Sequence, residues 1–168
     1  MRILLRLKAW QLFVLNAPWY MFSFISPVFD ILYLIGTAIF IGWIFSMGYV
    51  MHSFIQSPLK PKIIYFEMTF LFFIVSAIAD YFISMINLSL YLMLPLAALI
   101  TVSFFYSFGF AARMLESVRQ GEIVNRSDSL RTLFYILFFP IGVWFLQPSI
   151  NRIIAEKEAM QDEDAQVM

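Results

Sequence analysis

Apolar side chains run from Trp10 to Met51 with little to interrupt them, and again from Ile63 to Ile86 and from Leu90 to Ala112. No other feature restricts the fold as much. Fifteen of the twenty Phe and seven of the eight Tyr fall in these runs, and 13% of the 168 residues are charged, against about a quarter in soluble domains. A soluble core of this size could not enclose such runs. The chain reads as an all-α integral membrane protein, because helices satisfy their own backbone groups in lipid.

Four segments reach the roughly 20 residues that ~30 Å of hydrocarbon requires: 10–29, 31–51, 63–86 and 90–112. The N-terminus, MRILLRLKAWQLFVLNAPWYMF, has the basic start and apolar run of a signal peptide. No small-x-small cleavage site follows, so it reads as a retained first span. Arg2, Arg6 and Lys8 precede that span, Lys60 and Lys62 separate spans two and three, and four arginines lie in 113–131. The turns at 29–31 and 87–90 carry none. Cytoplasmic loops retain Lys and Arg, so this alternation predicts four spans with a cytoplasmic N-terminus.

The stretch FFPIGVWFLQPSINR (138–152) is apolar but interrupted. The segment 132–146 is short for a span, Pro140 removes a backbone donor, and Gly142 permits a sharp reversal. A re-entrant or half-inserted segment is the expectation, with a kinked fifth span as the alternative. In the first reading Trp144, Gln147 and Pro148 mark the interface on the way out, and the C-terminus is cytoplasmic. INRIIAEKEAM (150–160) reads as a short amphipathic helix, and 156–168 as an acidic, flexible tail.

The polar loop 113–131 is the largest cytoplasmic surface besides the tail. Its arginines suit anionic lipid headgroups or a protein partner's acidic patch, or serve only to fix topology. Ser127 or Asp128 is placed to cap a helix starting near Leu130. Net charge is zero, and no nucleic-acid partner is expected.

Ionisable groups within spans mark functional candidates. Asp80 lies about 9 Å inside the outer end of span three, and Ser76, Asp80 and Ser84 share one helical face. Asp30, in the first outer turn, lies at a similar level. These residues could take a ligand, proton or cation, or could simply be hydrated or hydrogen-bonded packing groups. Glu67, near the cytoplasmic end of span three, is within reach of Lys60, Lys62 or Arg113 and reads as a paired boundary carboxylate. Asn16, two residues before Pro18, reads as hydrogen-bonding glue. His52 closes span two at the interface.

Small-residue stripes run along span two (Ala38, Gly42, Ser46) and span four (Ser103, Ser107, Ala111). They predict close backbone packing of those spans, within one chain or across a homo-oligomer. With no cysteine and one histidine, no metal site or cofactor is expected. Glycine loops for nucleotides, HExxH, and Ser–Lys or Ser–His pairs placed for acyl transfer are missing. No enzyme activity is expected.

LRLKAWQLF, RMLESVRQGE and FFPIGVWFLQPSINRI together resemble a group of small four-span bacterial inner-membrane proteins. Their pattern is a K-x-W-Q-[LV]-F start and a closing F-P-[IL]-G-[IV]-W-x-[IL]-Q-P-x-[IL]-N. The pattern has a basic residue after Gln-Pro, where this chain has Ser149 and supplies Arg152 later. The resemblance implies a bacterial cytoplasmic membrane and α-helical architecture, and attaches no activity. The expected role is that of a small accessory or interaction protein. Alternatives are a pore-forming or membrane-disrupting effector with Asp30 and Asp80 at its mouth, and a small transporter using Asp80.

Overall fold

A computed structural model of the chain describes the backbone of residues 2–22, 27–56, 58, 60–84 and 90–167, and side-chain surroundings within 3–16, 35–56, 58, 60–76, 78 and 94–160. The described residues form seven helices and no strand: α1 (Arg2–Arg6), α2 (Ala9–Phe22), α3 (Pro27–Phe54), α4 (Ile63–Ser84), α5 (Leu90–Gln120), α6 (Leu130–Leu137) and α7 (Phe139–Val167). The all-helical class expected from the apolar runs is the one observed. The chain divides into two compact units, one of residues 1–60 with 111–168, the other of residues 61–110.

Among the described residues, two stretches are long and apolar enough to cross a membrane, Ile35–Phe54 in α3 and Leu94–Gln120 in α5. They are compatible with a membrane protein. Four spans are not what the described residues support. Of the expected first span, 10–29, the 14-residue α2, about 21 Å long, covers 10–22 and α3 covers 27–29, while 23–26 lie outside the described residues. Proline at a first helical position has its φ already set and loses no intrahelical bond. Asp30 consequently falls inside α3 rather than in a turn. Helix α4 starts at the expected residue and is described to Ser84; the expected end at Ile86 and the outer turn at 87–90 up to residue 89 lie outside the described residues.

Helix α5 continues through RMLESVRQ, which was expected to be loop. Met114, Leu115 and Ser117 are buried on its inner side, and the residues are good helix formers. Gly121 stops it with φ +76°, the left-handed position that commonly ends helices. No atom outside its immediate chain neighbours would meet a Cβ there within 4 Å, so Gly121→Ala isolates the backbone cost. We expect a loss of about 1–2 kcal/mol in denaturant unfolding in detergent, with helix content unchanged.

In the smaller unit α4 and the first part of α5 run antiparallel through stacked rings. Phe66 lies 4.6 Å from Phe110 and Phe73 5.8 Å from Phe104, centroid to centroid.

In the larger unit the broken segment is a helical hairpin. Helix α6 starts beside the end of α5, where the Thr132 hydroxyl donates to Glu116 at 2.9 Å. It ends at Phe138, whose N–H donates to the Phe134 carbonyl and whose own carbonyl accepts from Ile141 and Gly142. Phe139 rests edge-on against Phe40 (4.8 Å) and Trp43 (5.4 Å). These positions lie about 16–21 Å along α3 from its end at Phe54. Helix α7 then returns, and its Lys157 lines the same crevice as Phe54.

The break therefore falls at Phe138, not at Pro140–Gly142. Pro140 sits in the first turn of α7, where its missing N–H has no intrahelical partner to lose. Gly142 serves close approach rather than flexibility: a Cβ there would lie 1.7 Å from the Tyr135 carbonyl oxygen. The helix expected to start near Asn151 is the continuation of α7, which runs through the acidic stretch to Val167. The N-cap of α6 is Ser129, not Ser127 or Asp128, and its hydroxyl donates to the Arg126 carbonyl (2.9 Å) instead of capping. Asp128 accepts from the Asn125 N–H and the Ser127 hydroxyl, holding the turn before it.

Candidate functional site

Two places in the larger unit gather polar groups around apolar ones. The first is a clasp that joins both chain ends. Gln147, expected at an interface, is fully buried. Its Oε1 accepts from Trp43 Nε1 (3.0 Å). Its Nε2 lies 2.6 Å from the Leu5 carbonyl oxygen, 2.7 Å from that of Leu7 and 3.2 Å from Asn151 Oδ1. Asn151 Nδ2 also donates to the Leu7 carbonyl (3.3 Å). A helix as short as α1 ends with carbonyls that no helical donor meets, and the Gln147 amide meets that of Leu5 and, just past the helix, that of Leu7.

The start of α2 is fixed the same way. Gln11 Oε1 accepts from the Lys8 N–H at 2.8 Å, the N3-to-N-cap half of a capping box. The stretches LRLKAWQLF and FFPIGVWFLQPSINRI thus meet in space, and Phe13 also lies 5.9 Å from Trp144, ring to ring. Periodicity could not show this. Gln147 flanked by apolar residues looks like a boundary marker unless an unpaired carbonyl is known to lie opposite.

The second place is an open crevice of about 530 Å³. Phe54 and Ile55 line it from the end of α3, Ser117 and Val118 from α5, Glu122 from the following loop, and Lys157 from α7. The loop is folded back against α5 at Val124: Arg113 Nε donates to the Val124 carbonyl (2.8 Å), and the Val124 N–H donates to Ser117 Oγ (3.2 Å). The lining mixes one acid, one base and the polar Gln56 and Ser117 with apolar side chains.

The four arginines of 113–131 divide accordingly. Arg113 is spent on Val124, and Arg119 pairs with Glu116 at 3.2 Å. Arg126 and Arg131 are exposed. Both Nε and Nη2 of Arg131 donate to the Tyr135 hydroxyl at 3.3 Å, and its guanidinium lies 5.6 Å from that ring's centroid. The hydrogen bond to Tyr135 holds the guanidinium above its ordinary range, so its charge is permanent.

The remaining candidates fall as follows. Ser76 is buried on α4; Asp80 and Ser84 share its face by register, but their side chains, and that of Asp30, lie outside the described residues. Glu67 is half-buried. Lys60 turns to the Ile55 carbonyl (3.2 Å). Asn16 is fully buried and donates to the Leu12 carbonyl at 3.0 Å, which fits a packing role. His52 is buried, two residues before α3 ends.

Of the small-residue stripes, Ser46, Ser103, Ser107 and Ala111 are buried while Ala38 is exposed. Gly42 packs against α1: a Cβ there would meet Leu4 at 3.3 Å. Trp144 is half-exposed, and Pro148 is exposed within α7, where it leaves the Trp144 carbonyl without its helical donor. Among the described residues no group of three or more His, Asp or Glu side chains is placed to hold a metal ion.

Comparison with known proteins finds no matching family, no matching curated protein and no matching solved structure.

Proposed function

We propose that the chain is a non-enzymatic accessory protein of the bacterial cytoplasmic membrane, and that a partner protein docks in the crevice built by residues 117–123. The single observation that supports this reading is that crevice. It gathers the ends of α3 and α5, Lys157 and Met160 of α7, and the loop that follows α5. Its walls are held by Arg113 and Ser117 before anything binds, which lowers the ordering cost of association.

In this reading α3 and α5 cross the bilayer, both termini are cytoplasmic, and α6–α7 is a hairpin that enters the bilayer and leaves on the same side. Irregular backbone at membrane depth needs cover from protein, and Phe139 against Phe40 and Trp43 provides it near the apex.

Topology is tested in this cysteine-free chain with single cysteines at Asn87 and Ala165 and a membrane-impermeant maleimide on intact cells. We expect labelling at 87 and none at 165. Labelling at both means that the hairpin region crosses, and the hairpin reading fails.

Docking is tested by a photo-crosslinking residue at Val118 in the native cells. One adduct of defined mass, lost when Lys157 is changed to Glu, is the expected result. Depolarisation of cells on induced expression, altered by Asp80→Asn, would instead establish the pore-forming effector.

A further inference from the structure

Every exposed residue from 130 to 148 is apolar except Arg131. The exposed side chains include Leu130, Phe134 and Phe138 on α6 and Ile141 and Phe145 on α7, which are 49–65% accessible. The spacing is helical on both arms, so these residues form one continuous skin over the outside of the hairpin.

A patch made for one protein partner is bounded by polar residues. This skin instead passes through Trp144 and Phe13 to the exposed Trp10 and Val14 of α2, wrapping neighbouring helices. Toward the C-terminus it stops at Pro148, and exposed charge resumes at Arg152. At its other end stands Arg131, stacked on Tyr135, which itself stacks on Phe145 at 5.2 Å. The Glu116 carboxylate acts on that guanidinium at longer range, but it is taken by Arg119 and the Thr132 hydroxyl. An exposed planar cation whose neighbouring acid is engaged elsewhere, at the edge of an apolar skin, has the chemistry of a phosphate ligand at a membrane surface.

We propose that the outer face of the α6–α7 hairpin is a lipid-binding surface, its apolar side chains set among acyl chains and Arg131 holding the phosphate of an anionic phospholipid. The assignment rests on the membrane reading above and adds to it a headgroup and a residue. Arg131 reads lipid charge, and Tyr135 positions it.

The test uses the purified full chain with single cysteines carrying bimane at Phe138, at Leu130 or at Val102 of α5, in vesicles whose acyl chains are brominated and quench on contact. The vesicles are phosphatidylcholine or phosphatidylglycerol. We expect the Phe138 label to be quenched in both. The Leu130 label should be quenched about fivefold more effectively by phosphatidylglycerol, the discrimination one surface arginine gives. Arg131→Gln should abolish that preference and leave Phe138 quenching and helix content unchanged. Inorganic phosphate at matched ionic strength should not remove the preference; if it does, the site takes the free anion and the lipid assignment falls.

Quenching at Val102 without quenching at Phe138 would mean that protein covers the hairpin, and would overturn the proposal while sparing the membrane reading. Equal quenching by the two lipids, or a preference that survives Arg131→Gln, would remove Arg131 from the role. No quenching at any position would overturn the membrane reading itself.

Discussion

Gly142→Ala is expected to cost more than about 3 kcal/mol, beyond the usual range for one added methyl in a core. The reason is the identity of the obstacle. A Cβ at this position would lie 1.7 Å from the Tyr135 carbonyl oxygen and 2.4 Å from its carbonyl carbon. These are backbone atoms of α6, so no rotamer change can relieve the overlap. The two arms must separate, which uncovers the contacts of Phe139 with Phe40 and Trp43. Denaturant unfolding in detergent, followed by tryptophan fluorescence, measures the loss. Full stability in Gly142→Ala would mean that the arms do not approach as described. Gly121→Ala is the control, because it changes a glycine where no such obstacle stands.

Gln147→Ala is expected to cost roughly 2–6 kcal/mol, since each of two buried polar groups left unmet costs about 1–3 kcal/mol. Removing the amide strands Trp43 Nε1 and the Leu5 carbonyl, while Asn151 still reaches the carbonyl of Leu7. Gln147→Glu separates hydrogen bonding from volume. A carboxylate can accept from Trp43, yet it turns an acceptor toward the Leu5 and Leu7 carbonyls and buries a charge. It should therefore be at least as damaging as Ala despite its size. Beyond unfolding, the readout is tryptic cleavage after Arg6, whose other tether is the ion pair to Glu158. Both variants should speed that cleavage strongly. Wild-type cleavage rates in Gln147→Glu would show that the N-terminal segment is held by something else.

Helix formation was legible in the sequence because long apolar runs admit little else. The start of α4 at Ile63 and of α6 at Leu130 could be read from composition and from the turn residues NRSDS. The end of α5 could not. RMLESVRQ looks polar enough for a loop, and only the burial of Met114, Leu115 and Ser117 keeps it helical. Pro140 and Gly142 were recognisable as the marks of a reversal, but the reversal itself sits at Phe138, a residue with no turn signature. Proline signals a helix start as readily as a break, and glycine signals close packing as readily as a bend. Which meaning applies depends on the neighbouring helix. Arg113, Arg119 and Arg131 look alike along the chain. Their different duties come from Val124, Glu116 and Tyr135, which only folding brings to them.

The amide that meets the first helix belongs to a residue 142 positions from Leu5 and 140 from Leu7. During synthesis the N-terminal segment emerges first, and its partner follows 140 to 142 residues later. Until then the carbonyl of Leu5 in α1 lacks the amide that meets it in the fold. Closing the clasp is thus a late, long-range step of assembly. A chain that stops before residue 147 lacks the clasp and leaves Arg6 open to proteases. Residues made long after the first helix therefore decide whether that helix is protected.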